Sequence, residues 1–104
     1  MTELTGYAFD LLEAAYNRSS VEQREGQRLR LTILDGDVAQ DAGLVASDTS
    51  DSPESRIWRE SVKSLLDSGA VVIPDIVDQS LGRATFYAIT SEGEQVLRFT
   101  GRIS

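Results

Sequence analysis

Small and apolar positions between residues 53 and 68 recur at steps of three and four: Ile57, Trp58, Ser61, Val62, Leu65 and Leu66. That spacing places them on one side of an α-helix and predicts a third helix over 53–68 with a single buried stripe. Ser52 or Ser55 can cap its start, Pro53 suits the first helical position, and Gly69 supplies the stop. The period then changes. Residues 70–73, ended by Pro74, and residues 84–89, with Phe86 and Tyr87, are β-branched and aromatic runs of strand length. Turn-forming residues fill 78–82, so the two runs pair most simply as an antiparallel hairpin over 70–89. Thr90 and Ser91 then cap a closing helix over 91–102, with Glu94 three residues after Ser91, where a capping box requires it.

Upstream, Tyr7, Ala8, Leu11, Leu12, Ala15 and Tyr16 follow the same helical spacing. They predict a first helix over 6–17, capped by Thr5, with Asp10, Glu13 and Asn17 facing outward. Residues 18–27 are polar and charged and read as a connection that can keep helical turns, whereas residues 28–34 alternate polar and apolar side chains as a short strand does. Asp35 and Gly36 signal a turn, and residues 45–52, just before the helix that starts at Pro53, read as an acidic loop of low hydrophobicity.

Several of these stretches resemble a known family. Leu65-Leu66-Asp67-Ser68-Gly69-Ala70-Val71-Val72 resembles the L-x-x-x-G-L-[IV] ending of the third helix in winged-helix repressors. Tyr87-Ala88-Ile89-Thr90-Ser91-Glu92-Gly93-Glu94-Gln95-Val96-Leu97 resembles the Y-x-L-T-x-x-G-x-x-[LV]-L closing segment of the MarR-like and PadR-like regulators. Residues 37–44 resemble the second helix of a helix-turn-helix, whose pattern Ala39, Gly43 and Leu44 match, and the resemblance implies a short second helix over 37–44. The resemblance covers less than half of the chain. It implies an α+β fold, a small winged helix with a three-helix core, a two- to three-stranded antiparallel wing and a C-terminal helix, in which the strand near residue 30 joins the wing. The chain departs from the PadR-like pattern one turn into the third helix, where a Tyr is usual and Trp58 or Arg59 stands here.

At 104 residues the chain has the length of one domain, 1–104, with one modest core. The apolar fraction of 40% and charged fraction of 26% are ordinary for a globular chain, and no apolar run approaches the roughly 20 residues that cross a bilayer. A cytoplasmic location without membrane partners is therefore expected. With neither Cys nor His, thiolate and imidazole chemistry and the usual zinc and haem sites are excluded, and no cofactor is expected. Carboxylates are left as the chemistry an enzyme could use. The pair Asp35 and Asp37 reads as a turn and a helix cap, and a non-enzymatic role is expected.

The candidate site lies on the third helix. Arg56, Arg59 and Lys63, at i, i+3 and i+7, line one side of it, and Arg83 falls at or just after the tip of the wing. In a winged helix these are the places that meet double-stranded DNA, with arginine reading guanine in the major groove. The expected function is that of a DNA-binding transcriptional regulator. Against it stand a net charge of −7, the carboxylates Asp48, Asp51 and Glu54 around the start of that helix, and the possibility that Arg56 with Glu60 and Lys63 with Asp67 are simply solvated i, i+4 pairs. The alternative is a winged-helix module that docks a protein partner and binds no DNA, with Trp58, Tyr7, Tyr16, Phe86 and Tyr87 as anchors if they are not core. The resemblance implies a homodimer, although the long C-terminal dimerisation helix of many such repressors has no counterpart before Ser104.

Overall fold

A computed structural model of the chain describes residues 6–45, 52–74 and 85–103. The expected Thr5 cap, most of the acidic loop, and the turn of the C-terminal hairpin with Arg83 lie outside the described residues. The elements are α1 (Gly6–Arg18), β1 (Ser20–Arg24), β2 (Gln27–Ile33), α2 (Gly36–Asp41), α3 (Pro53–Asp67), β3 (Val71–Val72), β4 (Phe86–Ile89) and α4 (Ser91–Phe99). The strands form one antiparallel sheet in the order β1-β2-β4-β3, and the domain is α+β.

The helices cover one face of this sheet. Period-2 alternation sends Thr32, Tyr87, Ile89 and Val71 to the same side, with Thr32 opposite Tyr87 and Val71 opposite Ile89. The Thr32 hydroxyl donates to the Ala15 carbonyl of α1 at 3.0 Å, and Val71 and Ile89 join Ala8, Leu11, Leu12, Trp58, Leu65 and Leu97 in the main core. Fully burying one of these leucines stabilises the fold by about 1.5–3 kcal/mol. On the opposite face, Leu31 and Ala88 form a smaller apolar cluster with Leu29 and Phe86. Tyr7, Tyr16 and Tyr87 pack against the main core as half-buried side chains, so the aromatic residues proposed as docking anchors chiefly fill space.

Four expectations are corrected. Residues 20–24, read as part of a polar connection, form β1, paired with β2 from Ser20↔Leu31 to Arg24↔Gln27. The hairpin turns on Glu25 (φ 50) and Gly26 (φ 80), a two-residue loop with both central residues left-handed, whose twist matches that of paired strands. The second and fourth helices are shorter than 37–44 and 91–102 predict. After α2 the Leu44 N–H returns to the Ala39 carbonyl at 2.9 Å, and after α4 the Arg102 N–H returns to the Leu97 carbonyl at 2.8 Å, so each chain leaves its helix axis early. The capping box is not made. Thr90, not Ser91, caps α4, its hydroxyl accepting from the Gly93 N–H at 3.2 Å, and the Glu94 carboxylate turns to Arg30. Finally, Ile57 is 42% exposed and does not belong to the buried stripe of α3.

Candidate functional site

The side chains that could meet a partner stand on α3, and its buried side fixes their direction. Ser52 caps the helix, its hydroxyl accepting from the Ser55 N–H at 3.2 Å, and Pro53 occupies the first turn. Ser55, Trp58, Ser61 and Leu65 are buried, with Val62 and Leu66 beside them against the core. The Trp58 indole N–H finds no hydrogen-bond partner among the described residues. Turning about 100° per residue from this buried centre, Arg59, Lys63 and Arg56 gather within an arc of about 60° on the far side. All three are exposed. Glu60 and Asp67 follow on the next part of the arc, with Ile57 beyond them at the flank.

The structure thus brings together three of the four basic residues singled out from the sequence and leaves Arg83 outside the described residues. Arg56 and Arg59 are already engaged in interactions of their own, and among the described residues Lys63 makes no ion pair with Asp67. At the start of α3 the Glu54 carboxylate accepts the Val45 N–H at 2.9 Å, so a negative charge stands where the helix N-terminus favours anions. Glu54 also acts on Tyr7. Burial first, then the charges of Asp10 and Glu54, push the Tyr7 phenol up to about 12. Its hydroxyl donates to the Ala39 carbonyl at 3.3 Å, tying α1 to α2.

The orientation of α3 relative to the sheet is set by the segment that the sequence singles out as T-x-x-G. The Thr90 hydroxyl donates to the carbonyls of Gly69 and Ala70, and the Thr90 N–H donates to the Ala70 carbonyl at 3.0 Å. Gly93 lies so close that a Cβ there would sit 2.3 Å from the Ala70 carbonyl oxygen. The first turn of α4 is therefore pressed onto the chain just after α3, and no larger residue fits.

Other charged groups escape sequence reasoning because their partners are distant in the chain. Arg30 donates to Glu94 at 3.0 Å and to the Ser19 hydroxyl at 3.3 Å, and its guanidinium lies 4.4 Å from the centre of the Tyr16 ring. Arg102 donates to Asp10 at 2.6 Å and to Glu13 at 3.1 Å, fixing the segment after α4 to the outer side of α1. Arg18 pairs with Asp41. Asp35, considered with Asp37 for carboxylate chemistry, caps α2 by accepting the Val38 N–H at 3.1 Å, while Asp37 is exposed in the first turn. Compared with protein-family models, curated proteins and solved structures, the chain matches none of them.

Proposed function

We propose that this is a winged-helix DNA-binding protein, a transcriptional regulator that presents the outer arc of α3 to the major groove. The observation that carries the reading is the gathering of exposed Arg59, Lys63 and Arg56 on one arc of the helix that leads into the β3–β4 ribbon. The pairing of β2 with β4, which adds a third strand to that ribbon, and the Thr90–Gly93 junction support the same architecture. Because α3 also carries Glu54, Glu60 and Asp67, binding rests on close contacts rather than on a broad positive field. On reaching DNA, Arg56 and Arg59 exchange their present partners for phosphate or base edges.

The test is anisotropy of labelled duplex DNA across a salt series. With three cations in contact, the logarithm of affinity falls against the logarithm of salt with a slope of about −3, and each of Arg56→Ala, Arg59→Ala and Lys63→Ala reduces that slope by about 1. Binding that ignores salt, or that is absent at low ionic strength, removes the reading.

A second reading, a module that docks a protein and no DNA, is favoured by side chains left in solvent. Ile57 (42% exposed) on α3, and Val72 (44%) and Ile73 (49%) on and beside the edge strand β3, lie in an acidic chain of net charge −7. Its mark is an interaction that Ile57→Glu or Val72→Glu abolishes while substitutions of Arg56, Arg59 and Lys63 leave it intact.

A further inference from the structure

A second basic cluster lies away from α3, where β2 meets α4. Arg28 and Arg30 alternate on β2 and so share the helix-covered face of the sheet, opposite Gln23 and Val21 of β1. On α4, Ser91, Glu94 and Arg98 stand at i, i+3 and i+7 and share one side of the helix. The two rows line a cleft of about 320 Å³, a size that accommodates a small ligand.

The three arginines differ in their surroundings. Arg30 has a structural role: Glu94, Ser19 and the Tyr16 ring hold it in place, and its side chain is only 23% exposed. Arg28 and Arg98 are exposed, and neither makes an ion pair among the described residues, although carboxylates outnumber basic groups 17 to 10 in the chain. Arg98 in the last turn of α4 also complements the helix dipole, but that does not explain its convergence with Arg28 and Arg30. Glu94 offsets one of the three positive charges, so the cleft retains an excess of about two. A phosphate monoester carries about −1.5 to −2 at neutral pH and offers oxygens to bidentate guanidinium donors, whereas a single carboxylate would leave positive charge uncompensated.

From this we infer that the cleft between β2 and α4 is a binding site for a phosphate-bearing small molecule, held by Arg28 and Arg98 with Arg30 as the fixed donor and the Ser91 hydroxyl as a further contact. The site is separate from the outer arc of α3, and its occupancy does not depend on DNA binding there.

Calorimetric titration of the full chain with inorganic phosphate and with pyrophosphate, at ionic strength held constant with chloride, tests this. Saturable binding is expected, with pyrophosphate the tighter ligand. Arg28→Ala and Arg98→Ala should each weaken it roughly tenfold, as loss of a charge-assisted hydrogen bond does. Arg98→Glu should abolish it. Arg24→Ala is the control, because Arg24 belongs to the opposite face of the β1–β2 hairpin and pairs with Glu22. Circular dichroism verifies folding, and should Arg28→Ala fail to fold, Arg28→Lys replaces it, with a smaller loss expected. Absence of saturable binding overturns the inference. So does binding unchanged by substitution of Arg28 and Arg98, or weakened equally by Arg24→Ala, which would mark general charge screening.

Discussion

The two sides of α3 obey different rules. Its inner side, Ser55, Trp58, Ser61 and Leu65, is buried against α1 and the sheet, and the size of each group is dictated by its neighbours. Its outer side, Arg56, Arg59, Lys63 and Ile57, is exposed, and nothing in the core specifies which residues stand there. The inner side therefore reports the fold and the outer side is open to selection by whatever the protein meets. Exposed positions spaced like a solvated helix face can hold a binding surface without any trace in the packing.

The largest effect that sharpens this contrast is expected on the inner side. Leu65 is fully buried, and Leu65→Ala should cost about 2–5 kcal/mol in urea denaturation, the lost burial plus the cavity left behind. A cost below about 1 kcal/mol would mean that the interior collapses around the gap. Gly93→Ala comes next, at about 1–3 kcal/mol, because its Cβ would meet backbone and not a flexible side chain. A neutral result would show that α4 can slide off Ala70.

A smaller, pH-dependent effect concerns Tyr7, which senses both α1 and the first turn of α3. Its folded pKa of about 12 lies above the ordinary phenol value of 10.0, so the neutral phenol is favoured in the folded state. The stabilisation is complete below pH 10.0 and is lost as pH rises toward about 12. Tyr7→Phe should flatten the fall in stability over that alkaline window, and an unchanged profile would place the Tyr7 hydroxyl in water. The smallest effect belongs to the outer side. Ile57→Ala should change stability by no more than about 0.5 kcal/mol, as surface substitutions usually do. A larger loss would mean that Ile57 is covered and that the two sides are less distinct than their exposures imply.

The sequence made the elements with a strong period legible: α1, α3, β2 and the start of α4 follow from spacing and caps. β1 was hidden because Ser20–Arg24 carries one apolar side chain and its hairpin turns on Glu25-Gly26, without the Asn or Asp that usually announces such a loop. Ile57 was misplaced because it neighbours Trp58 and sits at the margin of the stripe, where a shift of one residue separates core from solvent. The capping box expected of Ser91 and Glu94 is not made because Thr90 takes the cap position, which puts Gly93, a residue without a side chain, where the box needs its carboxylate, and leaves Glu94 to pair with Arg30, 64 positions away. The outer arc of α3 was legible because helical spacing alone defines it. The β2–α4 cleft was not, since it joins residues 28 and 30 to residues 91, 94 and 98 through the pairing of strands that no local pattern encodes.

The single tryptophan of the chain is Trp58, 5% exposed on the inner side of α3. Its fluorescence comes from one known position, shielded from water and directly behind Arg56 and Arg59. Loosening of that helix would shift the emission to longer wavelength without any added label, so the native protein contains its own optical gauge of what happens at this surface.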